Sequence, residues 1–285
     1  MEENEFPLSE EISKEILEDV KKSSVKKCVK ITPCRSENLS IFQSKFGGVP
    51  YWEKDAPYPT DADGNKMVLL AQIRLDEIAN FDAVEDLPKS GLLQFFISTN
   101  DLFGLDFENP TSQSGHRVIF HENLDEKITK DDVISLKIPT TNDEDFSDYF
   151  PFKGEFSLEF SQSESFINDT DFGFFEKVCE VVERIGVKIP EEKYLSEYDI
   201  LDEDTLEDFF DGSENSRIGG WAFFTQDDVH YREDCRDYEV LLFQMDSTES
   251  QEILWGDCGI ANFFITKSDL KKRDFSKVLY NWDSY

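Results

Sequence analysis

The sequence predicts an α+β fold of mostly antiparallel sheet with internal, pseudo-twofold duplication, and three observations predict it. Ser44-Lys45-Phe46-Gly47-Gly48 recurs as Ser216-Arg217-Ile218-Gly219-Gly220, and in each copy a glutamine, Gln72 in VLLAQI and Gln244 in VLLFQM, stands 24 residues past the second glycine. A third block, GLLQFFI from Gly91, recurs as GIANFFI from Gly259, so three blocks keep one order while the offset between copies falls from 172 to 168. Finally, each copy offers a glycine-hinged edge and two apolar strands, too little to bury itself alone, and apolar residues at helical spacing lie on either side of the first copy. One unit over residues 1–285 with β-rich halves at about 35–140 and 150–280 satisfies all three.

Taken along the chain, Ile12, Ile16, Leu17 and Val20 give an amphipathic helix over Ser9–Ser24 with Ser9 as its cap. VKKCVKITP from Val25 reads as a strand, and Ser40–Phe46 leads into the glycine pair, which marks a turn or bulge. Met67–Leu75 and Leu92–Ser98 are strands apolar on both faces, so each is central and covered on both sides, by a helix on one and by the other half on the opposite one. Further strands are expected at His116–His121, Val133–Ile138 and Glu155–Phe160, with an acidic loop over Asp143–Asp148. Phe175, Val178, Cys179, Val182 and Ile185 share a stripe, predicting a helix over Asp171–Ile185 that ends at Gly186 and covers a sheet face. A short helix follows at Asp202–Phe210, stopped at Gly212.

Composition bounds the function. With 29 basic and 62 acidic residues the formal charge is −33 and the pI about 4.3, so a phosphate backbone is repelled and nucleic acid is not an expected ligand. The charge serves solubility first; if it serves a partner, a basic protein is the class it favours. Neither a leader pattern nor a run of about 18 apolar residues occurs, so a cytoplasmic protein without a membrane span is expected. Mean hydropathy is −0.51, yet 26 Phe can build a sizeable core at roughly 150–250 Å² buried per ring. Five scattered cysteines, Cys28, Cys34, Cys179, Cys235 and Cys258, read as reduced thiols, mostly in the core. His116 and His121 fall on opposite strand faces, and no cofactor or metal is expected. Asp61, Asp63 and Asn65 imitate a calcium loop, but Lys66 and Gln72 stand where glycine and glutamate belong, so the stretch is a turn.

The repeated blocks, together with Val49-Pro50, Leu87-Pro88 and Trp255-Gly256-Asp257-Cys258-Gly259, resemble the YwqG-like family of largely bacterial proteins of unknown function over about residues 40–280. The resemblance implies one α+β unit of antiparallel sheets with an internal pseudo-twofold, and it implies no reaction or ligand. The family's glutamine, aspartate, proline, arginine stretch after the second glycine pair is kept here only in part, as Gln226-Asp227-Asp228.

Candidate site residues are those the repeat singles out. Gln72, Gln94, Gln244 and Asn262 are carboxamides on apolar strands and must be hydrogen-bonded if buried. Either each serves the irregular backbone near Gly47-Gly48 or Gly219-Gly220, or symmetry brings them together to line a polar pocket. Trp255 and Asp257 stand where the first copy has Leu87 and Lys89; they anchor the interface and close a turn, or mark where function entered after duplication. Tyr51 and Trp52 with Phe46 are core or an aromatic rim. No G-x-S-x-G, G-x-x-x-x-G-K-[ST] or G-x-G-x-x-G is present, and with 62 acidic residues paired carboxylates occur by chance. The reading is a non-enzymatic binding or interaction protein; the alternative is a small-molecule hydrolase or other enzyme with a site between the halves.

Overall fold

The computed structural model describes residues 6–144, 146–147, 149–189, 195–210 and 215–285, with the backbone alone at 249. Ten strands form one antiparallel sheet: β1 (Lys26–Ser36), β2 (Lys45–Gly47), β3 (Val68–Arg74), β4 (Leu92–Ile97), β5 (His116–His121), β6 (Glu155–Ser165), β7 (Arg217–Gly219), β8 (Val240–Asp246), β9 (Ile260–Ile265) and β10 (Leu279–Asp283). Helices are α1 (Glu10–Ser24), α2 (Leu75–Ile78), α3 (Lys130–Ile134), α4 (Phe174–Arg184), α5 (Glu197–Ile200), α6 (Glu203–Phe210) and α7 (Lys267–Lys272). The strand order is β10-β9-β8-β7-β1-β6-β2-β3-β4-β5. The edge strands curl towards one another, so that His116 Nε2 lies 2.9 Å from the Val278 carbonyl and its ring 5.2 Å from that of Tyr280. The sheet is therefore nearly closed, like a barrel.

The two long strands β1 and β6 pair along their whole length, Lys26 with Ser165 through Ser36 with Glu155. Each also pairs with the short glycine strand of the opposite half: Val29 of β1 with Ile218 of β7, and Phe156 of β6 with Phe46 of β2. β3 and β8 each carry one bulge, between Leu69 and Ala71 and between Leu241 and Phe243. The extra residue turns Leu70 with Ala71, and Leu242 with Phe243, towards the interior. There Phe46, Phe95, Phe243 and Phe263 meet, with ring centroids 4.8 Å apart for Phe95–Phe243 and 5.0 Å for Phe95–Phe263.

Every residue of β4 and β9 is buried, and so is β3 up to Ile73, as their two-sided apolar pattern requires. What covers the outer faces is loop rather than helix. Tyr51, Trp52 and Ile138, with Val133 of α3, lie over Leu69, Leu92 and Phe96. Ala222, Phe224 and Cys235 lie over Leu241, Phe264 and Leu279.

Several expectations need correcting. The strand expected at Val133–Ile138 is in part the helix α3, because Thr129 and Asp132 form a reciprocal capping box that nucleates a turn. α4 starts at Phe174 rather than Asp171, whose carboxylate instead accepts the Gly173 N–H at 2.8 Å. Its buried stripe is Phe174, Val178, Val181 and Val182, while Phe175 and Cys179 are half-buried and Ile185 is exposed. Nor does it cover the sheet: it packs with α1 and α6 in a separate core around Ile16, Leu17, Val20, Leu206 and Phe210. Ile12 lies outside the buried stripe of α1. Of the five thiols only Cys28 and Cys235 are buried. The expected stop at Gly212, and Asp145 and Asp148 of the acidic loop, lie outside the described residues.

Candidate functional site

The glycine pairs and carboxamides form one recurring device. Gly47, Gly48, Gly219 and Gly220 all have φ between +65° and +78°, a region that glycine enters without strain. A side chain at Gly48 would meet Glu155 Oε2 at 2.3 Å, and one at Gly220 would meet Ser165 Oγ at 2.2 Å. The chain is thereby thrown outward, and the next segment is tied back by the glutamines. Gln72 Oε1 accepts from the Tyr51 N–H at 3.2 Å, and Gln244 Oε1 from the Phe223 N–H at 2.9 Å. Gln72 Nε2 donates to the Ile41 and Gln43 carbonyls, and Gln244 Nε2 to that of Asn215. Gln94 and Asn262, paired across the strands with these glutamines, donate to the carbonyls of Tyr51 and Phe223. The buried cations Lys45 and Arg217 likewise donate to the carbonyls of Val49 and Trp221.

All four carboxamides thus serve backbone, each pair within its own half, and the space between the halves is filled by phenylalanine. Trp255 is fully buried against Phe103 and Trp282, whereas Asp257 is exposed. Tyr51, Trp52 and Phe46 are core rather than rim. A groove of about 790 Å³ runs along the seam between the halves past Arg35, Phe103, Tyr149 and Glu252, with Arg35 and Glu252 paired at 3.1 Å.

The segments that the glutamines tie down differ sharply in chemistry. In the first half Tyr58 stacks edge-on against Trp52 and Phe96 and closes the outer face. At the offset of 172 residues the second half has His230, resting on Phe264 at 4.8 Å, near Phe224; Ala56 is matched by Asp228, and Val49 by Trp221. Here the face is open: a cavity of about 290 Å³ is walled by Trp221, Phe172, Phe224, Phe264 and Leu241, with Lys26, Asp171, Asp228, His230, Arg236 and Glu239 among its lining.

Its polar groups are fixed by specific contacts. Asp228, buried, accepts the His230 backbone N–H at 2.9 Å and ring Nδ1–H at 2.6 Å on one oxygen, and the Phe172 N–H at 2.9 Å on the other. His230 Nε2 faces the Tyr238 carbonyl at 3.1 Å. Burial alone would depress the imidazole; these bonds and the Asp228 and Asp171 charges outweigh it and raise its pKa. An acceptor faces each ring nitrogen, an arrangement that favours the doubly protonated form. Asp171 is different: burial pushes its carboxyl up to about 6, reinforced by Asp228 and opposed by the Gly173 N–H, Lys26 and His230. The Lys26 ammonium sits 3.2 Å from the Trp221 ring centroid, and its pKa is lowered, by burial first, against the pull of Asp171 and Glu239. Among the described residues no three His, Cys, Asp or Glu side chains converge as a metal site, and no helix is long and apolar enough to cross a membrane.

Gly220 belongs to both the expected set and the cavity; Lys26, Asp171 and His230 were outside that set. The signal was present. Extending the offset of 172 ten residues past the second glycine pair brings Asp228 and His230 against Ala56 and Tyr58.

Residues 44–284 match the family described as a domain of unknown function (DUF1963), and the chain belongs to that family. No curated protein matches the chain.

Proposed function

We propose that the protein is a non-enzymatic binding module whose ligand seat is the cavity beside Gly220, in the second of two units descended from one duplicated ancestor. The repeated glycine pairs, bulges and carboxamide ties support the duplication. The observation that carries the binding reading is the state of His230. Both ring nitrogens are engaged, by Asp228 and by the Tyr238 carbonyl, so neither nitrogen of the cavity's one imidazole is turned to a ligand as a proton acceptor. The acidic surface, at a formal −33, adds a preference for a basic protein among macromolecular partners and would speed its approach at low salt.

The test is a metabolite screen by thermal shift on the parent and on Leu241→Trp, which fills the cavity, with each hit incubated and analysed by mass spectrometry. Hits that stabilise the parent alone and are recovered unchanged are expected. A second reading, a small-molecule hydrolase, is favoured by one observation: Asp171, pushed up to about 6, is suited to proton transfer near neutral pH. Product formation that Asp171→Asn abolishes would replace the first reading with the second.

A further inference from the structure

We infer that the ligand of the Gly220 cavity is a small organic cation, a primary amine on an apolar or aromatic body; this rests on the binding reading above. Three independent features converge on that chemistry. Asp171 is a cavity carboxylate with unmet capacity and, unlike Glu239, which pairs with Lys267 at 2.9 Å, no salt bridge: among the described residues the one donor to its side chain is the Gly173 N–H, whereas a carboxylate offers about four lone-pair sites. Asp228, by contrast, has both oxygens engaged. The walls are ring faces, and the Lys26 ammonium lies over that of Trp221 at 3.2 Å, which is the geometry that a ring face offers a cation. The inner rings Phe224 and Phe264, with Leu241, are the apolar part of the lining and would take the body of the ligand. Lastly, a chain with a formal charge of −33 concentrates cations and repels anions. An anion could meet Lys26 and Arg236 at the rim, but only against that field.

The cavity of about 290 Å³ has room for about ten non-hydrogen atoms, taking roughly 30 Å³ for each water-sized position. The charged and titratable groups around Asp171 are Asp228, Lys26 and His230, with Arg236 and Glu239 on the same wall. A cation beside Asp171 favours its ionised form, so binding near pH 6 must release a proton.

The experiment is calorimetric titration of the full chain with 2-phenylethylamine and, separately, 3-phenylpropionate, at low salt and at pH 6 in two buffers of different ionisation enthalpy. Expected are binding of the amine with fractional proton release, at least tenfold weaker binding to Asp171→Asn, and no heat from the carboxylate. Asparagine keeps the acceptor for Gly173; should that variant not fold, proton release in the parent decides the question. Amine binding that is unchanged in Asp171→Asn, or without proton release, overturns the inference. So does binding of the carboxylate as tightly as the amine, although the binding reading then survives. Failure of both probes to bind overturns the inference and counts against the binding reading as well.

Discussion

The residues that read as oddities in the sequence are the ones that hold irregular backbone. Gln72 makes contact with two carbonyls, one N–H and the Gln94 amide. Gln72→Ala is therefore expected to lose about 1–3 kcal/mol by orphaning buried partners, and urea unfolding measures it; a variant as stable as the parent would show that these bonds contribute nothing. Lys45 presents a charge problem rather than a bonding one. It is fully buried, donates to the Ser40 and Val49 carbonyls, and burial brings it down to about 7, with Glu155 pulling the other way and Lys130 adding to the depression. Its unfolded value lies near 10.5, so between pH 7 and 10.5 the unfolded chain holds more protons and stability must rise with pH. Below pH 7 both states are protonated and the cost of the buried charge is constant. Relative to Lys45→Met, which cannot titrate, the parent should gain more than about 1 kcal/mol between pH 7.5 and 10. Parallel urea midpoints for the two proteins across that range would refute the assignment.

At the level of the element, the glycine pair works by close approach as much as by dihedral angle, and the two contributions separate. Gly64, at φ +84°, has nothing within 4 Å of its would-be side chain; Gly220, at φ +78°, faces Ser165 Oγ at 2.2 Å and Cys28 Cβ at 3.0 Å. Gly64→Ala should cost about 1 kcal/mol of strain, and Gly220→Ala at least about 2 kcal/mol more, because the Trp221 N–H bond to Ser165 Oγ must also give way. Equal melting temperatures for the two variants would count against the close-approach argument. The same contrast shows what was legible in the sequence. Strands β3, β4, β8 and β9 and the glycine pairs stood out because a pattern buried on both faces and a positive φ leave strong residue preferences. α3 was missed because Val133 and Ile138 look like strand residues unless the Thr129–Asp132 box is weighed first. The register of α4 slipped by one because Phe174 and Phe175 are interchangeable until their neighbours are known. The cavity was hidden for a different reason. It arises where the second half lacks the Trp52–Tyr58 plug of the first, and an absence is visible only once the matching blocks are aligned beyond the strands.

Over the whole molecule, the pairing of β1 with β7 and of β6 with β2 determines how the chain must come apart. Val29 and Phe156 occupy matching places: each sits at the centre of a long strand's contact with the other half's glycine strand. Residues 1–150 therefore leave β2 without its outer neighbour β6 and deprive β1 of both its partners, β6 and β7. The interior would fare no better, since Phe95 packs on Phe243 and Phe263 of the second half. At roughly 25 cal/mol per Å², that shared aromatic surface is lost to both halves at once when they separate. Neither half then keeps a core that can offset its own chain entropy. One cooperative transition is expected in urea, with far-UV dichroism, near-UV dichroism and tryptophan emission coinciding in midpoint and slope. The helical core of α1, α4 and α6 is the part that could depart from this, because its buried side chains meet one another and the segments beside them rather than the sheet. Far-UV dichroism weights those helices, while the buried Trp255 reports on the junction of the halves. A far-UV midpoint below that of tryptophan emission would mean that the helical core melts first. Two separated steps in tryptophan emission itself would mean that the halves unfold independently despite their exchanged strands.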